Sequence, residues 1–373
     1  MIKHYDGVLG TFDYDDEMFE LIKDLDGVKS YDTQVYLQYI GDGKIELPDG
    51  CINTNRMFYC CELPKGFNLG DKFDTSRVVN MNSMFMNCKM PTGFTLGEKF
   101  DTSRVEDMNS MFFNCEMSED FTLGNKFDTS KVVDMFDMFC KCKMPEGFIL
   151  GEKFDTSKVK SMSSMFNGCK MPEGFTLGDN FDTSNVTGML GMFFKCEMSE
   201  GFSLGDKFNT SKVRTMDLMF GKCKMSKGFT LGDKFDTSSV EDMGYIFAGC
   251  NLSDGFTLGD KFDTSRVKDM SFMFYNCKLP KGFSLGKKFD ISKVKSMSGM
   301  FERCELPMDF SFGDKFDTSS VKDTYSMFSE CRLPKGFIPD DSLDLSKFKE
   351  LTQLLHDSAN PLHNVFLYVM GLF

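Results

Sequence analysis

One stretch of 27 residues recurs along the chain and decides the fold class. Its copy at residues 171–197 reads MPEGFTLGDNFDTSNVTGMLGMFFKCE. The string Phe-Asp-Thr-Ser inside it recurs at multiples of 27 residues, beginning at Phe73, Phe100, Phe127, Phe154, Phe181, Phe235, Phe262 and Phe316. Ten full copies therefore occupy residues 63–332, with partial copies on both sides. A fixed period of this length is the sequence signature of a stacked-repeat architecture.

The pattern inside one copy predicts a strand, a turn and a helix. Residues 175–177 alternate apolar, polar and apolar, as a half-buried strand does. Residues 178–180 are typical of a turn, and residues 182–184 offer oxygens that cap the start of a helix. The apolar residues that follow are spaced as on one face of a helix; they are Val186, Met189, Met192, Phe193 and Cys196.

A single copy buries too little apolar surface to fold by itself, so neighbouring copies are expected to share a core. The repeat body is predicted to cover residues 51–346. Residues 1–50 break the period and are predicted to form a β-rich N-terminal cap. Residues 347–373 are predicted to form a helical C-terminal cap.

The pattern Phe-Asp-Thr-Ser-x-Val-x-x-Met-x-x-Met-Phe-x-x-Cys resembles the short repeats of BspA-like leucine-rich-repeat surface proteins. The resemblance covers roughly residues 51–346 and implies a solenoid used for adhesion or protein recognition. The fold prediction is therefore an α/β tandem-repeat solenoid of the leucine-rich-repeat type. In it, 27-residue strand–turn–helix coils stack their strands in parallel and carry helices on the other side.

Charge and hydropathy limit the classes of partner and compartment. The formal net charge is -13, which disfavours nucleic acids and anionic membranes as partners. No run of 18 apolar residues is present, so no membrane span is predicted. Neither a secretory signal nor an anchor is visible in the sequence. The expected setting is cytoplasmic, phage or viral, or a cell surface reached by a non-classical route.

Cysteine forms a regular column at the end of the predicted helix. The column comprises Cys61, Cys88, Cys115, Cys142, Cys169, Cys196, Cys223, Cys250, Cys277, Cys304 and Cys331. Because a thiol packs as a small hydrophobe, buried free thiols are the leading interpretation. Disulfides between neighbouring copies and metal binding remain alternatives. The aspartate of Phe-Asp-Thr-Ser is interpreted as a capping residue, with calcium binding as its alternative.

No constellation of catalytic residues is apparent, because the three histidines lie at the ends of the chain, outside the repeats. We therefore expect a non-catalytic, protein-binding or adhesive scaffold with no cofactor and no metal. The alternative is a spacer, fibre or virion component that self-associates. Exposed positions that vary between copies are the candidate contacts for a protein partner or host-surface ligand. They are Lys65, Glu106, Asp107, Glu146, Lys160, Glu173, Arg214, Lys268, Asp269 and Lys281.

Overall fold

The computed structural model describes residues 3–5, 8–10, 37–39, 45–47 and 50–334, apart from residues 62, 64, 71, 314 and 315. The chain divides into two compact units, Met1–Val186 and Thr187–Phe373. Within the described part of the chain, no helix has the length and hydropathy needed to cross a membrane.

Four short strands lie ahead of the repeats in the first unit. They form one antiparallel sheet in chain order, with the bounds β1 Lys3–Tyr5, β2 Val8–Gly10, β3 Leu37–Tyr39 and β4 Ile45–Glu46. The sheet lies in the segment for which the sequence predicts a β-rich cap. Most of residues 1–50 and the whole helical cap expected at residues 347–373 lie outside the described residues.

Copies within each unit are joined by two parallel ladders whose bridges connect residues 27 positions apart. In the first unit one ladder extends from Asn53 to Ser161 and the other from Lys89 to Lys170. In the second unit the corresponding ladders extend from Gly188 to Asp323 and from Glu197 to Arg332. The constant offset shows that tandem copies stack in register within each unit.

The segment between the two ladders, residues 54–61 and its equivalents every 27 residues, was expected to be an α-helix. It is instead a pair of tight turns, and the helix prediction is wrong for the described residues. In the first copy the N–H of Met57 donates to the carbonyl of Thr54 at 3.1 Å. Arg56 and Cys60 have φ of 55° and 56°, in the left-handed region. The described part of the chain contains no α-helix; its single helical element is a 3-10 helix at Thr318–Ser320.

The spacing of the copies explains why this segment, which we call the two-turn segment, cannot be helical. The ring centroids of Phe58 and Phe85 are 5.2 Å apart, and those of Phe85 and Phe112 are 5.6 Å apart. Packed α-helices require 8–10 Å between their axes. At the observed spacing, every second N–H instead donates to the next copy; Phe58, for example, donates to the carbonyl of Met84 at 2.8 Å. Hydrogen bonding between copies thus replaces hydrogen bonding along a helix.

Residues 175–177 alternate between buried and exposed side chains, as the sequence predicts for a strand. They do not, however, pair with another strand. Phe175 and Leu177 are buried and Thr176 is exposed. The described residues contain no paired strand at this position of any copy. The alternation therefore reports which side chains face the core, and the strand itself is not formed.

Uniform columns of side chains fill the core of each unit. Phenylalanines of the two-turn segments stack with nearly parallel rings, at 5.2–5.7 Å in the first unit and 5.6–5.8 Å in the second. Most of the methionines beside them are buried completely, as are most of the valines. Offset or edge-to-face aromatic pairs add to the stabilisation from burial, so a Phe column also fixes the register of neighbouring copies.

The cysteine column is buried, which confirms the leading interpretation of the sequence. All fourteen cysteines are free thiols. Column thiols donate hydrogen bonds to carbonyls of the preceding copy: Cys169 Sγ lies 2.8 Å from the carbonyl oxygen of Phe139, and Cys250 Sγ lies 2.8 Å from that of Phe220. A thiol thus packs in the core and also satisfies a buried carbonyl.

Phe-Asp-Thr-Ser is repeated because its aspartate and its threonine each close a defined hydrogen bond. The fully buried Thr102 hydroxyl donates to the carbonyl of Asp128 in the next copy at 2.8 Å. It also accepts the Asp128 N–H at 2.7 Å. The carboxylate of Asp101 accepts the N–H of Ser103 at 2.9 Å, which closes an Asx turn. Asp thus closes a turn within its own copy, and Thr joins neighbouring copies.

Candidate binding surface

The surface formed by the two-turn segments and the two residues before each of them differs from copy to copy. We call this surface the turn face; it consists of the residues equivalent to 79, 80, 82, 83, 86 and 87 in each copy. Six of the ten candidate residues belong to it. Glu106, Asp107 and Lys160 lie in the first unit, and Arg214, Lys268 and Asp269 lie in the second.

Two of these six candidates serve the fold itself. Asp107 Oδ1 accepts the N–H of Asn109 at 2.9 Å, and its Oδ2 accepts a hydrogen bond from the Asn80 side chain at 3.2 Å. Asp269 Oδ1 accepts the N–H of Ser271 at 2.7 Å. Both aspartates close turns and are only partly exposed, so their first role is structural.

The remaining turn-face candidates, Glu106, Lys160, Arg214 and Lys268, are exposed. Lys268 Nζ forms an ion pair with Glu241 Oε2 of the preceding copy at 2.5 Å. Exposed ion pairs contribute little to stability, because solvent screens them and ordering two long side chains costs entropy. These four side chains therefore lie on the exposed part of the turn face.

The other four candidates lie at the turn that begins each copy, outside the turn face. Lys65, Glu146 and Glu173 belong to the first unit and Lys281 to the second, and all four are exposed. Glu146 Oε2 accepts the N–H of Glu173 at 3.1 Å, so these two candidates are neighbours in adjacent copies. The sequence thus identifies two separate sets of variable positions.

Three aromatic residues on the turn face of the second unit were missed by the sequence analysis. The rings of Tyr245 and Phe272 stack at 4.7 Å, and Phe272 meets Tyr275 edge to face at 5.8 Å. A methyl group on Gly299 would lie 2.3 Å from Cε1 of Phe272, so this ring covers the glycine of the next copy. Serine or glycine occupies the Tyr245 position in most other copies, and that contrast was the available signal.

Carboxylates surround these rings. Burial, together with the charges of Asp242 and Asp269, raises the pKa of Asp217 to about 6. Asp217 Oδ1 is shielded from solvent and has no hydrogen-bond partner in the described part of the chain. Burial also raises the pKa of Tyr245, and the charges of Asp217, Asp269 and Glu302 act in the same direction. We call Tyr245, Phe272, Tyr275, Asp217, Asp269 and Glu302 the aromatic–acidic patch.

An internal cation already occupies one edge of this patch. The guanidinium of Arg303 lies 5.9 Å from the centroid of the Tyr275 ring, and its Nη1 donates to the Tyr275 hydroxyl at 3.0 Å. The same group forms a two-pronged ion pair with Glu330, with both N–O distances at 3.0 Å. Tyr275 is thus partly engaged, whereas Tyr245 remains 37% exposed.

Comparison with known families accounts for the repeat region. Four overlapping segments, residues 52–170, 146–256, 205–279 and 251–365, match the family described as Mycoplasma protein of unknown function, DUF285. The chain belongs to the DUF285 family. The successive DUF285 matches agree with the tandem copies seen in both units. No curated protein and no solved structure matches the chain.

The chemistry available on this DUF285 chain is ionic and aromatic. Burial raises the pKa of several buried thiols of the column, among them Cys169, Cys250 and Cys277, and for Cys277 to about 12, so these three thiols are poor nucleophiles. The described residues include no group of three or more His, Cys, Asp or Glu side chains that could hold a metal ion. What the turn face does offer is ion pairing, hydrogen bonding and contact with aromatic rings.

Proposed function

We propose that this chain is a non-catalytic, protein-binding repeat scaffold that recognises a protein partner or host-surface ligand through its turn face. The resemblance of its repeats to those of BspA-like surface proteins supports an adhesive role, and a leucine-rich-repeat-like solenoid belongs to the same proposal. Proteins built from stacked copies commonly use such extended surfaces for recognition.

The observation that carries the proposal is the contrast between a constant interior and a variable exterior. In the first unit, the buried methionine column at Met81 and Met108 is the same in each copy. Two residues earlier, the exposed column changes from Val79 to Glu106 and then to Val133. The interior therefore preserves the stack, while charge and shape on the turn face change from copy to copy.

Reversal of charge on the turn face tests the proposal. One variant carries four exposed changes on that face: Glu106→Lys, Lys160→Glu, Arg214→Glu and Lys268→Glu. The control carries the same change of net charge on exposed turn residues elsewhere: Glu152→Lys, Lys153→Glu, Lys207→Glu and Lys234→Glu.

Each protein is photo-crosslinked to an extract of the native host, and the captured proteins are identified by mass spectrometry. We expect one defined partner to be lost from the turn-face variant and retained by the control. Equal capture by both variants would refute the role of the turn face. Sedimentation of the purified protein tests the alternative function, a spacer or fibre that self-associates. Self-association that persists on dilution would favour that alternative.

A further inference from the structure

The aromatic–acidic patch combines two features that each favour a positive charge. Tyr245 stacks on Phe272 with one face and is 37% exposed; its other face carries negative electrostatic potential, which attracts a guanidinium or ammonium group. Beside this ring, Asp217 Oδ1 has no donor among the described residues, and Asp242 is its neighbour: a Cβ on Gly244 would lie 3.1 Å from Asp217 Oδ1 and 3.5 Å from Asp242 Oδ1. The negative charges of Asp242 and Asp269 repel that of Asp217. A cation placed here would meet the open face of Tyr245 and relieve repulsion among the carboxylates at the same time.

The protein uses the same chemistry internally at the edge of the patch. Arg303 lies over Tyr275 and pairs with Glu330, so a guanidinium is already accommodated against one aromatic ring and one carboxylate. At the Tyr245 side, no lysine or arginine of the described residues plays this part; burial and the repulsion from Asp242 and Asp269 dominate the environment of Asp217. The exposed part of Tyr245 is therefore the place where an external cation would complete the arrangement.

We propose that the aromatic–acidic patch binds an arginine or lysine side chain presented by a basic segment of a partner protein. This inference rests on the proposed binding function and adds the chemical class of the partner. Charge complementarity selects this occupant, because the patch is acidic and the whole chain carries a formal net charge of -13. The same net charge disfavours a second copy of the chain, since two acidic surfaces repel each other.

The test uses a fluorescein-labelled peptide in which arginines alternate with glycine and serine. A second peptide replaces each arginine by citrulline, which keeps the shape and removes the charge. Binding of both peptides to the full-length chain is measured by fluorescence anisotropy at physiological salt. We expect saturable binding of the arginine peptide and at least tenfold weaker binding of the citrulline peptide.

Two variants distinguish the patch from general attraction to an acidic protein. The double variant Tyr245→Leu, Phe272→Leu keeps apolar bulk and removes the aromatic faces; leucine is compatible with this column because Leu218 already occupies it. Its matched control is Phe136→Leu, which removes an exposed ring from the turn face of the first unit. We expect Kd to rise about tenfold in the double variant and less than twofold in the control.

Carboxylate substitutions provide a second, independent comparison. Glu302→Gln removes one charge from the patch, and Glu152→Gln removes one charge from an exposed turn elsewhere. We expect Kd for the arginine peptide to rise about threefold in the first variant and to stay unchanged in the second. Circular dichroism and sedimentation of each variant establish that its fold is retained.

Several results would overturn the inference. They are absence of saturable binding, equal affinity for the citrulline peptide, and equal weakening by Phe136→Leu and by the double variant. The proposed function is judged separately: if charge reversal on the turn face still abolishes capture of a partner, the binding role stands and only the basic character of that partner is refuted. If capture is also unchanged, both proposals fail.

Discussion

Replacement of Thr102 by valine tests the account of how copies are held together. Thr102 is fully buried, and its hydroxyl bonds both the carbonyl and the N–H of Asp128 in the next copy, at 2.8 and 2.7 Å. Valine has nearly the same shape, so Thr102→Val removes these two hydrogen bonds and leaves the packing unchanged. Thr102→Ser is the complementary change, because serine keeps the hydroxyl and loses one methyl group.

The expected magnitudes place the two substitutions in a defined order. A buried polar group that loses its partner costs about 1–3 kcal/mol. Two groups are affected, but Asp128 is partly exposed and water can replace part of the loss, so we expect Thr102→Val to lower the free energy of unfolding by about 2 kcal/mol. Loss of one buried methyl group in Thr102→Ser costs about 1 kcal/mol. Valine should therefore be the worse replacement.

The free energy of unfolding is measured by urea titration, and exchange of the Asp128 amide proton is followed by NMR. We expect this amide to exchange faster in Thr102→Val than in Thr102→Ser. Thr122→Val, at an exposed position of the same unit, is the control and should change neither quantity. The reasoning is refuted if Thr102→Val is as stable as the wild type or more stable than Thr102→Ser, because a purely apolar site would behave in that way.

Three further predictions concern the buried thiols, the raised pKa and the covered glycine. Cys169→Ser should lower the free energy of unfolding by about 1–3 kcal/mol, since it buries a more polar group in the core. Most wild-type thiols should react with a thiol reagent only after denaturation. The pKa of Asp217 is about 6 in the fold, against an ordinary value of 3.8. The ionised Asp217 carboxylate therefore destabilises the fold above pH 6, and this destabilisation fades as the pH falls below 6. Asp217→Asn should therefore stabilise the protein by about 1 kcal/mol at pH 7.5, a value reduced by solvent screening, and by less at pH 5.5; equal gains at both pH values would contradict this account. Gly299→Ala should destabilise by about 1 kcal/mol more than Gly282→Ala in urea titrations, because both glycines have positive φ but only the first lies under Phe272. Equal losses would show that Phe272 moves away without cost.

Much of the inside–outside pattern could be predicted from the sequence. The period of 27 gives the register in which copies pair, and the apolar columns at Val78, Met81, Phe85 and Cys88 are buried as expected. Burial follows from hydrophobicity and regular spacing, whatever the backbone conformation. That independence is why the core was predicted correctly although the secondary structure was not.

The helix prediction failed because the same spacing fits two backbones. Apolar residues separated by three, three, one and three positions lie on one side of an α-helix, and also on one side of two consecutive tight turns. The distinguishing signal was present at the left-handed positions, where Gly168, Gly191, Gly249 and Gly299 interrupt the supposed helix. Glycine costs a helix interior about 1 kcal/mol, so its recurrence at these positions argued against a helix.

The candidate surface was predicted only in part, for a related reason. Variation between copies identifies exposed positions such as Glu106 and Lys160, because the buried columns vary little. It does not reveal that Tyr245 stacks on Phe272, since these residues lie 27 positions apart and meet only when copies stack in register. Contacts of this kind depend on the distance between copies. Packed α-helices would have set this distance at about 8–10 Å.

The constant offset of the ladders has a consequence for how genes of this kind change in length. Duplication or loss of one whole 27-residue copy brings equivalent residues back into contact at the junction, so every bridge, ring stack and threonine bond can form again. A deletion whose length is not a multiple of 27 residues shifts all later columns and opposes buried positions with exposed ones. Unequal recombination between copies can thus lengthen or shorten the protein by whole 27-residue copies. Each new junction brings a different pair of exposed side chains together.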